Sequence, residues 1–424
     1  MKKMSKEIRA CLLNDSFPPL IDGVANAVVN YATTIHKKYG EALVVVPRYP
    51  DVKDDYPFPV LRYTSFNTVK QFGYRAGYPF SKEAIPAATA FAPTVIHSHC
   101  PIASLFLGRA LRASTGAPLV CTYHTKFDIE VRKAIESNIL QSAAIKLLAK
   151  NMEACDEVWV VSEGAGENLR GMGYQGDYVV MENGVDFPLG RVSDEEVQAA
   201  RKELGLSEDG PTFMFVGRMM WYKGVRISLD ALKAAKERGE KFRMILIGDG
   251  SDRVEIEEYV HTLGLERECI FTGAVHDREQ LRRYFCCSDL FLFPSTFDTN
   301  GIVVREAAAC AVPSVLVRKS CASEGIKDGV TGYLIEENAD SMLEKVIYAC
   351  HHLSEVRRVG KNAQEQIYVS WETSVDRAVE RYRYLEERYS GRTKQDMGLA
   401  KDEVFKFVAD WYAMTEKLKN FRAR

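Results

Sequence analysis

Short apolar runs alternate with longer amphipathic stretches along the whole chain. The runs are typical of strands buried on both faces, and the stretches between them have the spacing of helices. Runs begin near residues 8, 42, 95, 119, 158 and 178 in the first half and near residues 213, 245, 270, 291 and 315 in the second half. Strands that alternate with helices in this way predict a doubly wound α/β protein.

A polar, helix-starting segment that begins at Gly190 separates the two halves, and the turn of residues 183–186 comes just before it. The pattern therefore predicts three regions, and these are two Rossmann-like domains in residues 1–190 and 191–372 followed by C-terminal helices in residues 373–424.

Two helices are predicted at the C-terminal end of the chain. The first spans residues 371–388. A second follows from apolar positions between residues 404 and 421 that share one helical face. The simplest role of the second helix is packing on the first domain, with a dimer or membrane contact as the alternative.

Composition limits the function classes. The 424 residues carry a formal net charge of −2, which excludes the broad cationic surface of a general nucleic-acid binder. No apolar stretch approaches about 18 residues, and the basic start lacks a signal-peptide core, so we expect a cytosolic protein. The ten cysteines include no Cys-x-x-Cys pair, so neither a disulfide framework nor a zinc site is expected.

The most informative stretch contains Asp298 and Glu306, two acids separated by seven residues between an apolar run and an apolar helix. Gly301 lies where that helix begins, and backbone N–H groups at a helix start suit anionic ligands. Two acids on either side of a bound phosphate can bind the hydroxyl groups of a sugar nucleotide. In the alternative, Asp298 only caps the helix and Glu306 is a solvated helix residue. Candidate donor contacts in the same stretch are Thr299, Asn300 and Ile302.

Two cations follow the apolar run that begins at residue 213. Arg218 comes directly after Gly217, and Lys223 lies five residues later. Because ligands bind at the carboxyl ends of parallel strands, we expect this pair to neutralise a diphosphate. A similar glycine pattern follows the next strand and includes Gly250. An isolated pair of surface cations would be the alternative.

These motifs, in this order, resemble family-four retaining glycosyltransferases of the GT-B fold, in particular enzymes of the bacterial diacylglycerol glucosyltransferase and phosphatidylinositol mannosyltransferase types. Asp298 replaces the first Glu of the Glu-x7-Glu signature of that family, and Ala311 replaces a common glycine. The resemblance spans about residues 8–390. It implies two Rossmann-like domains that face each other across a cleft, with a C-terminal helix crossing back to the first domain.

The resemblance also implies the roles of the donor residues. Arg218 and Lys223 would bind the diphosphate and stabilise its departure, Glu306 would hold the ribose, and Asp298 would hold the hexose. The turn at Val275 would lie beside the nucleobase. The expected donor is UDP-glucose or a similar UDP-sugar, transferred with retention and without a cofactor or metal ion.

In the first half, the resemblance places the Gly23 loop and His124 near the donor sugar, and a plain structural turn is the alternative for the loop. His97 and His99 are separated by one residue, and we expect them to face opposite ways on a strand and not to share a metal. No Asp-x-Asp motif of metal-dependent sugar transferases is present.

The acceptor is predicted less directly. Tyr74 and Arg75 lie in an aromatic loop, Lys126 follows His124, and residues 132–150 predict one basic amphipathic helix. Similarity to lipid glycosyltransferases favours a membrane lipid such as diacylglycerol, with the protein peripheral at the inner face of the membrane. A polysaccharide or small-molecule acceptor, a sugar-nucleotide epimerase and a non-catalytic partner subunit are the alternatives. The sequence does not predict an oligomeric state.

Overall fold

The computed structural model describes residues 7–20, 22–69, 74–207, 209–392 and 406. The chain divides into two compact units, a first unit of residues 1–182 and 371–424 and a second unit of residues 183–370. The sequence-based boundaries lie at residues 190 and 372. The predicted tail helix of residues 404–421 lies outside the described residues, apart from residue 406.

The first unit contains a parallel sheet and a short antiparallel pair. Its strands are β1 (Ile8–Leu13), β2 (Gly40–Pro47), β3 (Val60–Tyr63), β4 (Ser65–Phe66), β5 (Ala76–Gly77), β6 (Val95–Ser98), β7 (Leu119–Tyr123), β8 (Glu157–Val160) and β9 (Tyr178–Val180). The large sheet has the order β3-β2-β1-β6-β7-β8-β9, and β4 pairs with β5. The chain order therefore reverses between β1 and β6, which are neighbours.

Six helices lie between these strands in the described part of the unit, and their bounds are α1 (Gly23–Lys38), α2 (Ala84–Ala90), α3 (Ala103–Thr115), α4 (Phe127–Ala134), α5 (Asn138–Glu153) and α6 (Glu163–Gly171). The prediction of one helix over residues 132–150 is wrong. Ile135 and Ser137 both have extended backbone, so the chain breaks between α4 and α5. Apolar spacing continues across the break, which is why periodicity alone did not reveal it.

The second unit repeats the design with six parallel strands, which are β10 (Thr212–Val216), β11 (Arg243–Ile247), β12 (Cys269–Gly273), β13 (Leu290–Phe293), β14 (Ser314–Val317) and β15 (Tyr333–Ile335). Their order is β12-β11-β10-β13-β14-β15. Its helices are α7 (Asp194–Glu203), α8 (Val225–Glu237), α9 (Arg253–Thr262), α10 (Arg278–Cys286), α11 (Ile302–Ala309), α12 (Ala339–His351) and α13 (Leu353–Gln366). Here the order reverses between β10 and β13, and ligands bind at such reversals at the carboxyl ends of the strands.

The last described helix, α14 (Trp371–Arg388), belongs to the first unit, as predicted. Its Tyr382 ring stacks on Trp159 at 5.4 Å, and its hydroxyl lies 2.5 Å from Nδ1 of the buried His97. Thr122 Oγ1 lies 2.7 Å from the other ring nitrogen of His97, so both nitrogens are satisfied. None of the described helices is long and apolar enough to span a membrane.

We predict that His97 makes the stability of the protein depend on pH. Burial and then the nearby His124 hold the pKa of His97 well below its usual 6.5. The folded state thus binds fewer protons at His97 than the unfolded state. The contribution of neutral His97 to the free energy of unfolding is therefore complete above pH ~6.5 and is lost as the pH falls. Between pH 7 and 5, the free energy of unfolding of His97→Gln should fall by about 2 kcal/mol less than that of the wild type.

Denaturant unfolding at a series of pH values measures this difference. His261→Gln is the matched control, since His261 is exposed on α9. The prediction is wrong if His97→Gln and the wild type lose stability equally over this pH range.

Candidate active site

Two helices of the second unit begin at glycines beside the reversal between β10 and β13. Gly224 precedes α8 with φ 75°, and Gly301 precedes α11 with φ 60°. A Cβ at Gly224 would lie 2.4 Å from the carbonyl oxygen of Pro294, so a side chain there is excluded. Neither glycine gives its helix a side-chain cap, and the first N–H groups of both helices stay open to an anion.

Lys223 and Asp298 are in direct contact. Lys223 lies in the short turn before Gly224 and is only 7% exposed. Its Nζ donates to both carboxylate oxygens of Asp298, at 2.7 and 2.9 Å, and the Ser295 hydroxyl donates to the same carboxylate. The loop continues through Thr299 and Asn300 to the start of α11. The two residues are 75 positions apart in the sequence, and both were predicted to belong to the donor site. The structure places them in direct contact.

The other second-unit candidates surround the same sheet edge without joining this contact. Arg218 directly follows Gly217 and is exposed. A Cβ at Gly250 would lie 2.5 Å from the carbonyl oxygen of Met219, so close packing of two loops explains that glycine. Val275 follows β12 and packs against the second unit's core.

Glu306, on α11, is buried and paired with Arg278, a residue that sequence reasoning missed. The Arg278 guanidinium donates to Glu306 and also lies 3.2 Å from Asp186. Burial raises the pKa of Glu306, and the guanidinium offsets part of that increase. Ile302 is the first residue of the same helix. Arg278 thus gives a buried carboxylate a cationic partner in the position predicted to hold the ribose.

We predict that Arg278→Gln destabilises the protein by about 1–3 kcal/mol, because it leaves a buried carboxylate without its cation. The Arg278 side chain is 41% exposed, so water replaces part of the lost contact. Chemical denaturation measures the loss. Arg238→Gln, at an exposed position of the same unit, is the control.

A double-mutant cycle sharpens this test. In the Glu306→Gln background, Arg278→Gln should lower the free energy of unfolding much less than it does in the wild type. Additive losses would mean that Arg278 does not act through Glu306.

Three buried histidines line up in the first unit. The rings of His97 and His99 are only 4.0 Å apart, so the prediction that they face opposite ways is wrong, because side chains two residues apart along a strand lie on the same face. His99 Nδ1 is 3.1 Å from Nε2 of His124. Burial lowers the pKa of His124 to about 3 and lowers that of His99 as well, so both rings are neutral. Among the described residues, no group of three or more potential ligands could hold a metal ion.

A cavity of about 410 Å³ opens at the carboxyl ends of β1 and β6. Its walls come from the loops after these strands and from α4, and include Asp15, His99 and Phe127. Of the three predicted acceptor residues, Tyr74 lines it.

The other two predicted acceptor residues are not part of the cavity lining. Arg75 donates instead to Ser65, with Nε 2.9 Å from its hydroxyl oxygen. Lys126 precedes α4. Gly23, predicted to meet the donor, is the exposed first residue of α1.

Asp15 and His99 are two polar cavity residues that lie outside the predicted site residues. A signal was available, because each is a polar residue at the end of one of the two strands where the order reverses. What the sequence does not show is their burial, at 3% and 1% exposure.

Family comparisons match both units. Residues 21–187 match the family described as Glycosyltransferase Family 4, and residues 196–366 match the family described as Glycosyl transferases group 1. The chain therefore consists largely of two glycosyltransferase family domains. This confirms the resemblance drawn from its motifs.

The glycosyltransferase is similar to two alpha-monoglucosyldiacylglycerol synthases. It is 23% identical to that of Streptococcus pneumoniae over 351 residues, which cover 80% of this chain and 78% of the relative. It is 22% identical to that of Acholeplasma laidlawii over 368 residues, which cover 84% and 92%.

Solved structures confirm the predicted GT-B class for this glycosyltransferase. The Anabaena protein HepE in complex with UDP and glucose matches with a TM-score of 0.69 at 19% identity, covering 88% of this chain and 99% of that one. The sucrose-phosphate synthase of Thermosynechococcus elongatus matches with a TM-score of 0.71 at 21% identity, covering 90% and 100%.

Proposed function

We propose that this glycosyltransferase moves a hexose, with retention, from UDP-glucose to the hydroxyl group of a membrane lipid of the diacylglycerol type. The observation that carries the donor assignment is the pair of uncapped helix starts beside Lys223 in the second unit. The HepE complexes with UDP and with UDP-glucose support a uridine donor. The two alpha-monoglucosyldiacylglycerol synthases support a lipid acceptor.

The donor diphosphate is negatively charged, and the open N–H groups of α8 and α11 carry the partial positive charge that suits it. Lys223 and Arg218 add two cations at the same sheet edge, where they stabilise the charge on the departing phosphate. Glu306 binds the ribose hydroxyls, and Asp298 binds the hexose while it holds Lys223 in place.

Retention follows from attack on the face of the anomeric carbon from which the leaving group departs, and the leaving phosphate takes the acceptor proton. The bond between the anomeric carbon and the phosphate oxygen breaks, the acceptor oxygen bonds to the same face of that carbon, and the acceptor proton passes to the phosphate. The low pKa of His124, about 3, makes its ring a weak base at neutral pH. This supports the phosphate, rather than the histidine, as the base.

The acceptor assignment rests on the first unit. The α4 side of its cavity carries the apolar side chains of Phe127, Val131 and, just after the helix, Ile135, beside the ion pair of Glu130 and Lys133. Next along the chain, at the start of α5, Ile139 and Leu140 are 83% and 60% exposed. Adjacent exposed apolar side chains on a helix that also carries lysines suit the surface of an anionic membrane.

We predict that Lys223→Met lowers kcat/KM by on the order of a hundredfold, the scale for a lost group that stabilises transition-state charge. Arg218→Met should act in the same direction. Both should also weaken the thermal stabilisation of the purified protein by UDP. Lys233→Met is the control, because Lys233 lies on α8 in an exposed pair with Glu237.

A parallel thermal-shift series with UDP, GDP and ADP tests the nucleotide. Wild-type turnover by Lys223→Met, or stabilisation by GDP but not UDP, would contradict the donor assignment.

We predict that Ile139→Asp/Leu140→Asp weakens flotation of the protein with vesicles of phosphatidylglycerol by at least tenfold, because two charged groups replace the apolar surface. Val254→Asp is the control, since Val254 is 66% exposed but lies in the second unit. Equal flotation of the double variant and the control would remove this surface as the membrane contact.

A further inference from the structure

The two helix starts at the reversal of the first sheet are already occupied by carboxylates. Asp22 accepts the N–H groups of Val24 and Ala25 at 2.8 and 2.7 Å and so caps α1. Asp15 accepts the N–H of Ser104, in the first turn of α3, at 2.9 Å. These are the positions that bind phosphate in many α/β proteins, and here the chain's own acids fill them.

The cavity beside these helix starts has an excess of negative charge. Asp15 and Asp22 both line it. Among the other described lining residues, Lys133 lies 3.7 Å from Glu130, so that pair has no net charge. Burial raises the pKa of Asp15 to about 6, which leaves its carboxyl group mostly ionised at neutral pH. A phosphate here would meet two carboxylates without gaining the helix N–H groups.

The cavity also has a buried polar atom that needs a partner. His99 lines the cavity, its Nδ1 is used by His124, and its Nε2 has no hydrogen-bond partner within the described part of the chain. A buried unsatisfied polar atom costs about 1–3 kcal/mol. Because the ring is neutral, a hydroxyl group can satisfy this nitrogen in either tautomer.

We propose that this cavity selects an acceptor with an uncharged hydroxyl headgroup on an apolar body, of the diacylglycerol type, and rejects acceptors that carry a phosphate. The inference rests on the proposed glycosyltransferase function and adds the charge selectivity of its acceptor site. The geometry behind it is the pair of carboxylate-filled helix starts, the unsatisfied Nε2 of His99 in the cavity wall and the apolar side chains of Phe127 and Val131 on α4.

The first experiment compares two acceptors in the same neutral detergent micelles, with labelled UDP-glucose as the donor. We expect kcat/KM for dioleoylglycerol to exceed that for phosphatidylinositol by at least tenfold. Equal or faster transfer to phosphatidylinositol would overturn the proposal.

The second experiment removes the two charges with little change in shape. Asparagine caps helices about as well as aspartate, so Asp15→Asn/Asp22→Asn should keep the fold, which its melting temperature checks. The preference for dioleoylglycerol should fall at least tenfold. Asp277→Asn is the matched control, since Asp277 caps α10 through the same two types of contact, at 2.9 and 3.2 Å.

An unchanged preference in the folded double variant would overturn the proposal. Donor binding separates this outcome from failure of the proposed function. If UDP does not stabilise the protein and UDP-glucose is not hydrolysed, the donor assignment fails. If both occur and phosphatidylinositol is still glycosylated as fast as dioleoylglycerol, only the acceptor inference fails.

Discussion

The N–H groups at the first turn of a helix must find hydrogen-bond acceptors, and the two units meet this requirement in different ways. Each unit has the same reversal of strand order, and in each two helices begin there. In the second unit both helices begin at glycines that provide no side-chain cap, so an anionic ligand can satisfy them. In the first unit Asp15 and Asp22 satisfy them. The same reversal of strand order thus leaves uncapped helix N–H groups at one sheet edge and places carboxylates at the other.

The contact between Lys223 and Asp298 follows from the same design. A cation that is 7% exposed needs a partner, and Asp298 provides both of its oxygens. The pair holds the ammonium at the sheet edge before any donor binds. Aspartate is one methylene shorter than the glutamate typical of the family, so its carboxylate stays close to the loop, where the Ser295 hydroxyl also fixes it. A site ordered in advance loses less entropy when the donor binds.

Much of the fold could be predicted from the sequence, because apolar runs mark buried strands wherever they occur. Contacts between distant residues could not. Asp15 bonds Ser104 across 89 positions and Arg278 bonds Glu306 across 28, and no local period reports such pairs. By contrast, the proximity of the His97 and His99 rings does follow from a local period, because side chains two residues apart along a strand lie on the same face.

The cavity of the first unit depends on residues far from it in the chain. Trp159 stacks on Tyr382 of α14, the Tyr382 hydroxyl contacts His97, and the His97 ring packs against His99 at the cavity wall. Each ring is buried, so none can tilt without displacing its neighbour. The C-terminal helix therefore fixes the direction in which His99 presents its remaining nitrogen. In physical terms, the return of the chain to the first unit helps to shape this cavity.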